Sequence, residues 1–156
     1  MGLDLKDPPS VANRATMNSS DFNLHPQLVA DCHLLGQFKE CIVLLRRNAV
    51  VPWFILVPVT DAVDLLDLPT AQLGRVMEEC SKIGKFVRDH FGSPKLNFGA
   101  IGNLVPQMHL HVIGRSPDDS CWPSPVWGNL SESRDYDVNA IAEITHALDS
   151  RFGLRG

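Results

Sequence analysis

Two pairs of short apolar runs, separated by one long amphipathic stretch, set the fold open to this chain. Phe38 to Leu45 is a compact apolar run that fits a buried strand. Arg46-Arg47-Asn48-Ala49 interrupts it as a loop, and Trp53-Phe54-Ile55-Leu56-Val57 forms a second strand stopped by Pro58. Leu73, Val76, Met77, Cys80, Ile83, Gly84 and Val87 then recur at steps of three and four, which places them on one face of a helix. Pro69-Thr70 stands at the start of that helix and Gly92 just past its end. Leu96 to Ile101 and Met108 to Ile113 read as two further strands. Strands that arrive in adjacent pairs favour an antiparallel sheet over alternating βαβ units. The expected class is therefore α+β, an antiparallel sheet with one long helix and flanking helices. The first flanking helix begins at Pro26, uses Leu28, Cys32 and Leu35, and stops at Gly36. The last is capped by Asp137 and uses Val138, Ile141, Ile144, Thr145 and Leu148. Ser116 to Gly128, rich in Pro, Asp and Trp, is irregular.

A chain of 156 residues supports one domain. Residues 1–21 mix Asp, Pro, Ser, Asn and Arg without periodicity and read as a flexible tail, leaving residues 22–156 as the domain. Lys and Arg total 14 against 18 for Asp and Glu, a net charge of −4, so the chain lacks the basic footprint of a nucleic-acid binder. Its apolar runs fall short of the roughly 20 residues needed to span a bilayer, so no membrane partner is expected. The N-terminal stretch carries no apolar signal segment, and the four cysteines (Cys32, Cys41, Cys80, Cys121) form no Cys-x-x-Cys pair. Reduced thiols and a cytoplasmic location follow as expectations.

The chemistry concentrates in Gln107-Met108-His109-Leu110-His111-Val112-Ile113. Side chains alternate faces along a strand, so Gln107, His109 and His111 share one face while Met108, Leu110 and Val112 share the other. Two adjacent imidazoles suit metal binding, acid–base work or attack on phosphorus. A metal would require further ligands, and His25, His33, His90 and His146 have no spacing that nominates them. Phosphoryl chemistry fits better, because Asn97, Gly99, Gly102 and Asn103 lie just upstream and supply neutral donors for phosphate oxygens. A neutral imidazole attacks phosphorus when its other nitrogen donates to an orienting acceptor.

The segment resembles the signature of the histidine-triad (HIT) superfamily of nucleotide hydrolases and transferases, His-φ-His-φ-His-φ-φ with φ apolar. Gln107 departs from it at the first position. A bacterial HIT-like subgroup is more similar still, through His25-Pro26-Gln27-Leu28, Pro52 to Pro58, Lys95-Leu96-Asn97, Gly102 to Gln107 and the Trp122-Pro123 to Trp127-Gly128 segment. The resemblance spans about residues 22 to 130, and the Gln-for-His change is typical of the subgroup.

The resemblance implies that His109 is the nucleophile, forming a nucleotidyl-histidine intermediate. It implies that His111 holds the α-phosphate, with Gln107 completing the catalytic set. Asn97, Gly102 and Asn103 would bind around the phosphate, and Asn48 near the ribose and base. Implied substrates are nucleoside phosphoramidates, dinucleoside polyphosphates or adenylated adducts. No cofactor or metal is required, and the implied assembly is a homodimer. Glutamine donates and accepts hydrogen bonds but carries no proton charge near neutral pH. If the first position only holds a network in place, Gln107 suffices. If it must be a cation, the rate falls about 10²-fold, the scale of one lost electrostatic contact. The alternative function is a nucleotide-binding module with little or no turnover, and a third is a metal-binding domain built on His109 and His111.

Four other features carry expectations. Trp122 and Trp127 either form a lid or cover the sheet, the second reading being the commoner use of large aromatics. Arg115 either reaches a phosphate or pairs at the surface with Asp118 or Asp119. Arg46-Arg47 reads as a solvated turn. Cys32 with His33 would make a thiol–imidazole dyad only in helical context.

Overall fold

The computed structural model describes residues 22–156. The tail expected over residues 1–21 lies outside them. Helix α1 spans Pro26–Asp31, with Pro26 at its first position and the His25 ring accepting the Gln27 N–H as a cap. Strands β1 (Cys32–Gln37), β2 (Cys41–Arg46) and β3 (Trp53–Pro58) follow. After a single 3-10 turn at Leu65–Asp67 comes α2, Thr70–Phe91, closed by Gly92 in the left-handed conformation. Strands β4 (Lys95–Gly99) and β5 (Leu110–Arg115) precede α3, Val138–Phe152, which Asp137 caps by accepting the Asn139 N–H. The five strands form one antiparallel sheet in the order β1-β2-β3-β5-β4.

The α+β architecture agrees with the sequence reading, but the sheet has one strand more than expected. The helix beginning at Pro26 ends at Asp31, because Cys32 turns extended (φ −132°, ψ 160°) and residues through Gln37 pair with β2. The helical spacing of Leu28, Cys32 and Leu35 is a coincidence of two elements meeting end to end. Gly36 is not a helix stop. It sits at φ +151° where the β1–β2 register shifts, and a Cβ there would lie 2.4 Å from the Arg155 carbonyl oxygen. Phe38 falls in the turn before β2, and β4 ends two residues earlier than the sequence suggests. Strand β5 starts at Leu110 and runs to Arg115, so Gln107 and His109 lead into the strand rather than lying within it.

The sheet is covered on both faces. Val76, Cys80, Ile83, Phe86 and Val87 of α2, with Ile144 and Leu148 of α3, pack on Val43, Leu45, Phe54, Leu56, Leu110 and Val112. On the other face, Leu28 of α1 and Val126 bury Leu44, Trp53, Ile55, Val57 and Ile113, with Trp127 packed alongside. Strand β3, buried at all six positions, is the spine against which β5 is held. At Gly114 the end of α2 and the turn after it press on the sheet: a Cβ there would meet Ser93 Oγ at 2.3 Å and Val87 Cγ1 at 2.7 Å. Gly114→Ala is expected to cost about 1–3 kcal/mol by overpacking. A denaturation midpoint that does not move would show that this contact yields freely.

Candidate active site

His109 and His111 stand at the entry to β5 with ring centroids 5.0 Å apart and planes at 72°. Both are buried, at 8% and 5% exposure. The His109 Nδ1 lies 2.7 Å from the backbone oxygen of Gln107. An oxygen can only accept, so Nδ1 carries a proton, and the neutral form of this ring has its unshared pair at Nε2. At His111 the arrangement is reversed. The Trp53 indole Nε1–H donates to His111 Nδ1 at 2.9 Å, which leaves its proton on Nε2. Burial, reinforced by the Arg46 charge and by His109 whenever that ring is protonated, pushes the His111 pKa down to about 3, so the His111 ring is neutral at physiological pH. The two imidazoles thus hold complementary tautomers, one an acceptor at Nε2 and the other a donor.

Aromatic rings fix this geometry. Trp53 meets His111 edge-on at 5.7 Å, Trp127 meets His111 at 5.3 Å, and the two indoles meet each other at 5.9 Å. Arg46 lies over the Trp53 ring at 4.7 Å, so it belongs to this face and not to a solvated turn. Trp53 did not stand out as a site residue in the sequence, whereas Trp127 did so only as a lid or as cover for the sheet. The available signal was that a buried indole needs an acceptor, and a histidine on the neighbouring strand supplies one.

The other expected site residues divide. Asn97 pairs with Ile113 across β4 and β5, two rows from the Gly99–His111 pair and so on the same face of the sheet as His111. Gly102, at φ +65°, and the exposed Asn103 sit on the connection that leads into the motif. Gln107 is not placed as its alternation with His109 suggests. Its Oε1 accepts the His25 N–H at 2.8 Å and its Nε2 donates to the Asn23 oxygen at 2.9 Å, so its side chain ties the segment before α1 to the motif. Asn48 is not brought to the histidines. It lies four residues beyond Leu44, whose row aligns with Ile55 and His111, and its amide donates to the Glu132 oxygen and accepts from the Arg134 N–H.

Arg115 departs from the surface ion pair expected of it. Its bidentate contact with Asp119 (2.8 and 3.0 Å) is buried, and the guanidinium holds the Asp119 carboxyl down to about 2. Cys32 and His33 point to opposite sides of β1, and burial raises the Cys32 thiol to about 11, the reverse of activation. Trp122 rests against the Arg115 guanidinium, 5.6 Å from its ring centroid, while Trp127 covers the sheet beside His111. Among the described residues no three His, Cys, Asp or Glu side chains are grouped to hold a metal, and no helix is long and apolar enough to cross a membrane.

The chain is similar in structure to a histidine triad protein from Bradyrhizobium japonicum, with 35% identity over 83% of this chain and 96% of the other, at a TM-score of 0.77. It is similar to another from Marinobacter aquaeolei VT8, with 38% identity over 83% and 94% and a TM-score of 0.76. A histidine triad protein from Sinorhizobium meliloti 1021 matches at 27% identity over 86% and 100%, with a TM-score of 0.80. No curated protein matches the chain in sequence. The sequence profile of the HIT domain matches residues 27–118, more than half of the chain and the whole of the paired-imidazole site, and the chain belongs to the HIT domain family.

Proposed function

We propose that this protein transfers or hydrolyses nucleotidyl groups through a nucleotidyl-histidine intermediate on His109. A nucleoside phosphoramidate or a dinucleoside polyphosphate is the substrate. The reading rests on the complementary tautomers of His109 and His111. The Nε2 lone pair of His109 attacks the α-phosphorus, and the bond to the leaving group breaks, a phosphate departing as its anion and an amine taking a proton from solvent as it leaves. The Gln107 carbonyl, as acceptor of Nδ1–H, stabilises the charge that develops on the attacking ring. The Nε2–H of His111 donates to a phosphoryl oxygen, joined by the Asn97 and Asn103 amides and the backbone N–H at Gly102. Water or an acceptor hydroxyl then attacks the same phosphorus and gives up its proton to solvent, and the phosphorus–nitrogen bond breaks with its electron pair returning to His109. This scheme needs no metal. The outer edge of β4, with Phe98 half-exposed, is the edge that would pair in a homodimer.

In this mechanism the Gln107 side chain acts on structure and not on charge, since both of its polar atoms are engaged with residues 23 and 25. Gln107→Ala is expected to lower stability by about 1–2 kcal/mol, the value of two hydrogen bonds to the backbone, and to change kcat less than about tenfold. A loss approaching that of the nucleophile variant would return Gln107 to the chemistry. The function itself is tested by following AMP release from adenosine phosphoramidate. Steady release supports it, whereas saturable AMP binding without release favours the nucleotide-binding module.

A further inference from the structure

Arg115 shares with His111 and Ile113 one face of β5, at period two, and is only 2% exposed. Nε and Nη2 donate to the two oxygens of Asp119, and Nη2 also donates to the Ser124 backbone oxygen at 2.8 Å. Nη1 donates to Asn97 Oδ1 at 2.7 Å. A guanidinium has no acceptor, so the atom that Asn97 turns toward Arg115 is its oxygen. The amide NH2 is thereby turned away from Arg115. Along β5 the Asn97 row lies between the Arg115 row and the His111 row, so the histidines lie on that other side.

We propose that Arg115 is a positioning residue. It holds the Asn97 amide in the one orientation that offers its NH2 to a phosphoryl oxygen at the histidine pair. Asp119 in turn holds Arg115. The guanidinium does not itself bind phosphate, because its charge is met by Asp119 and four of its five N–H groups are engaged by Asp119, Asn97 and Ser124. Without Arg115, an asparagine amide rotates between two nearly isosteric orientations, and in one of them its oxygen opposes the phosphate. This inference rests on the nucleotidyl reading of the site. It goes beyond that reading by assigning a role to a residue that touches no substrate.

The test is a double-mutant cycle on AMP release from adenosine phosphoramidate and on AMP affinity by calorimetry. Arg115→Met is combined with Asp119→Leu, so that no carboxylate is left buried and unpaired, and the pair is crossed with Asn97→Ala. If the pair variant does not fold, Arg115→Lys, which keeps a cation beside Asp119 but lacks the fork, carries the same cycle. The expected result is a loss of about 10-fold or more in kcat/KM for either arm, on the scale of a misplaced phosphate donor, and no further loss when they are combined. An Arg115 effect that persists undiminished in the Asn97→Ala background overturns the proposal, as does a pair variant with unchanged kinetics. Wild type that binds AMP without turnover refutes the hydrolase reading, and the cycle is then read on affinity. Wild type with neither property overturns both.

Discussion

His109→Ala is expected to reduce nucleotide release from a phosphoramidate by about 10⁴-fold or more, the scale at which removing a covalent nucleophile acts. AMP affinity should stay within about tenfold of wild type, because the donors that hold the phosphate lie on other residues. The geometry argues for so lopsided an effect. Only His109 has its Nδ1 proton committed to a carbonyl, so only its Nε2 is a free pair. His111 faces the opposite way, with Nδ1 occupied by the Trp53 N–H. Steady-state kinetics with product-inhibition measurements separate the two quantities. A His109→Ala variant retaining a tenth of the wild-type rate would show that the residue positions substrate and does not form a bond.

The second large effect is on stability in acid. His111 titrates at about 3 in the folded protein, mainly because it is buried, against 6.5 for an ordinary histidine. Between these values the unfolded chain binds a proton that the folded chain refuses. Stability therefore rises with pH through this window and falls as pH drops from about 6.5 toward 3, by roughly 1.4 kcal/mol per pH unit from this residue alone. His111→Asn keeps an acceptor for the Trp53 N–H but removes the titration. Denaturant unfolding at a series of pH values should show the wild-type slope reduced by about one proton in the variant. Parallel slopes for the two proteins would mean that the ring accepts a proton in place, breaking its bond with Trp53.

These effects trace to features of unequal visibility in the sequence. The 22-residue helix α2 was legible because seven apolar positions repeat over four turns and a glycine closes it. The alternation after Leu110 was equally plain, and with it the pairing of the histidines. Strand β1 was hidden because Cys32 and Leu35 extend the spacing of α1 by chance, while the pairing that makes them extended is with β2. The site's supporting contacts were invisible for a similar reason. Gln107 binds residues 82 and 84 positions away, and Trp53 reaches His111 across 58 positions. The Arg115–Asp119 pair was readable as a pair at i,i+4, but its burial depends on how residues 119–124 fold back over the sheet. Local pattern supplied the candidate groups, and tertiary contacts fixed their orientation.

The proposed function requires a phosphorus–nitrogen bond to form at His109. It is tested most directly by intact-mass and peptide-mapping analysis of the wild-type protein, quenched without acid during turnover of adenosine phosphoramidate. The expected result is a single nucleotidyl-sized increment on the peptide containing His109, absent from His109→Ala and decaying as nucleotide is released. Sustained turnover with His109 unmodified at every quench time, or an increment carried by another residue, would contradict it.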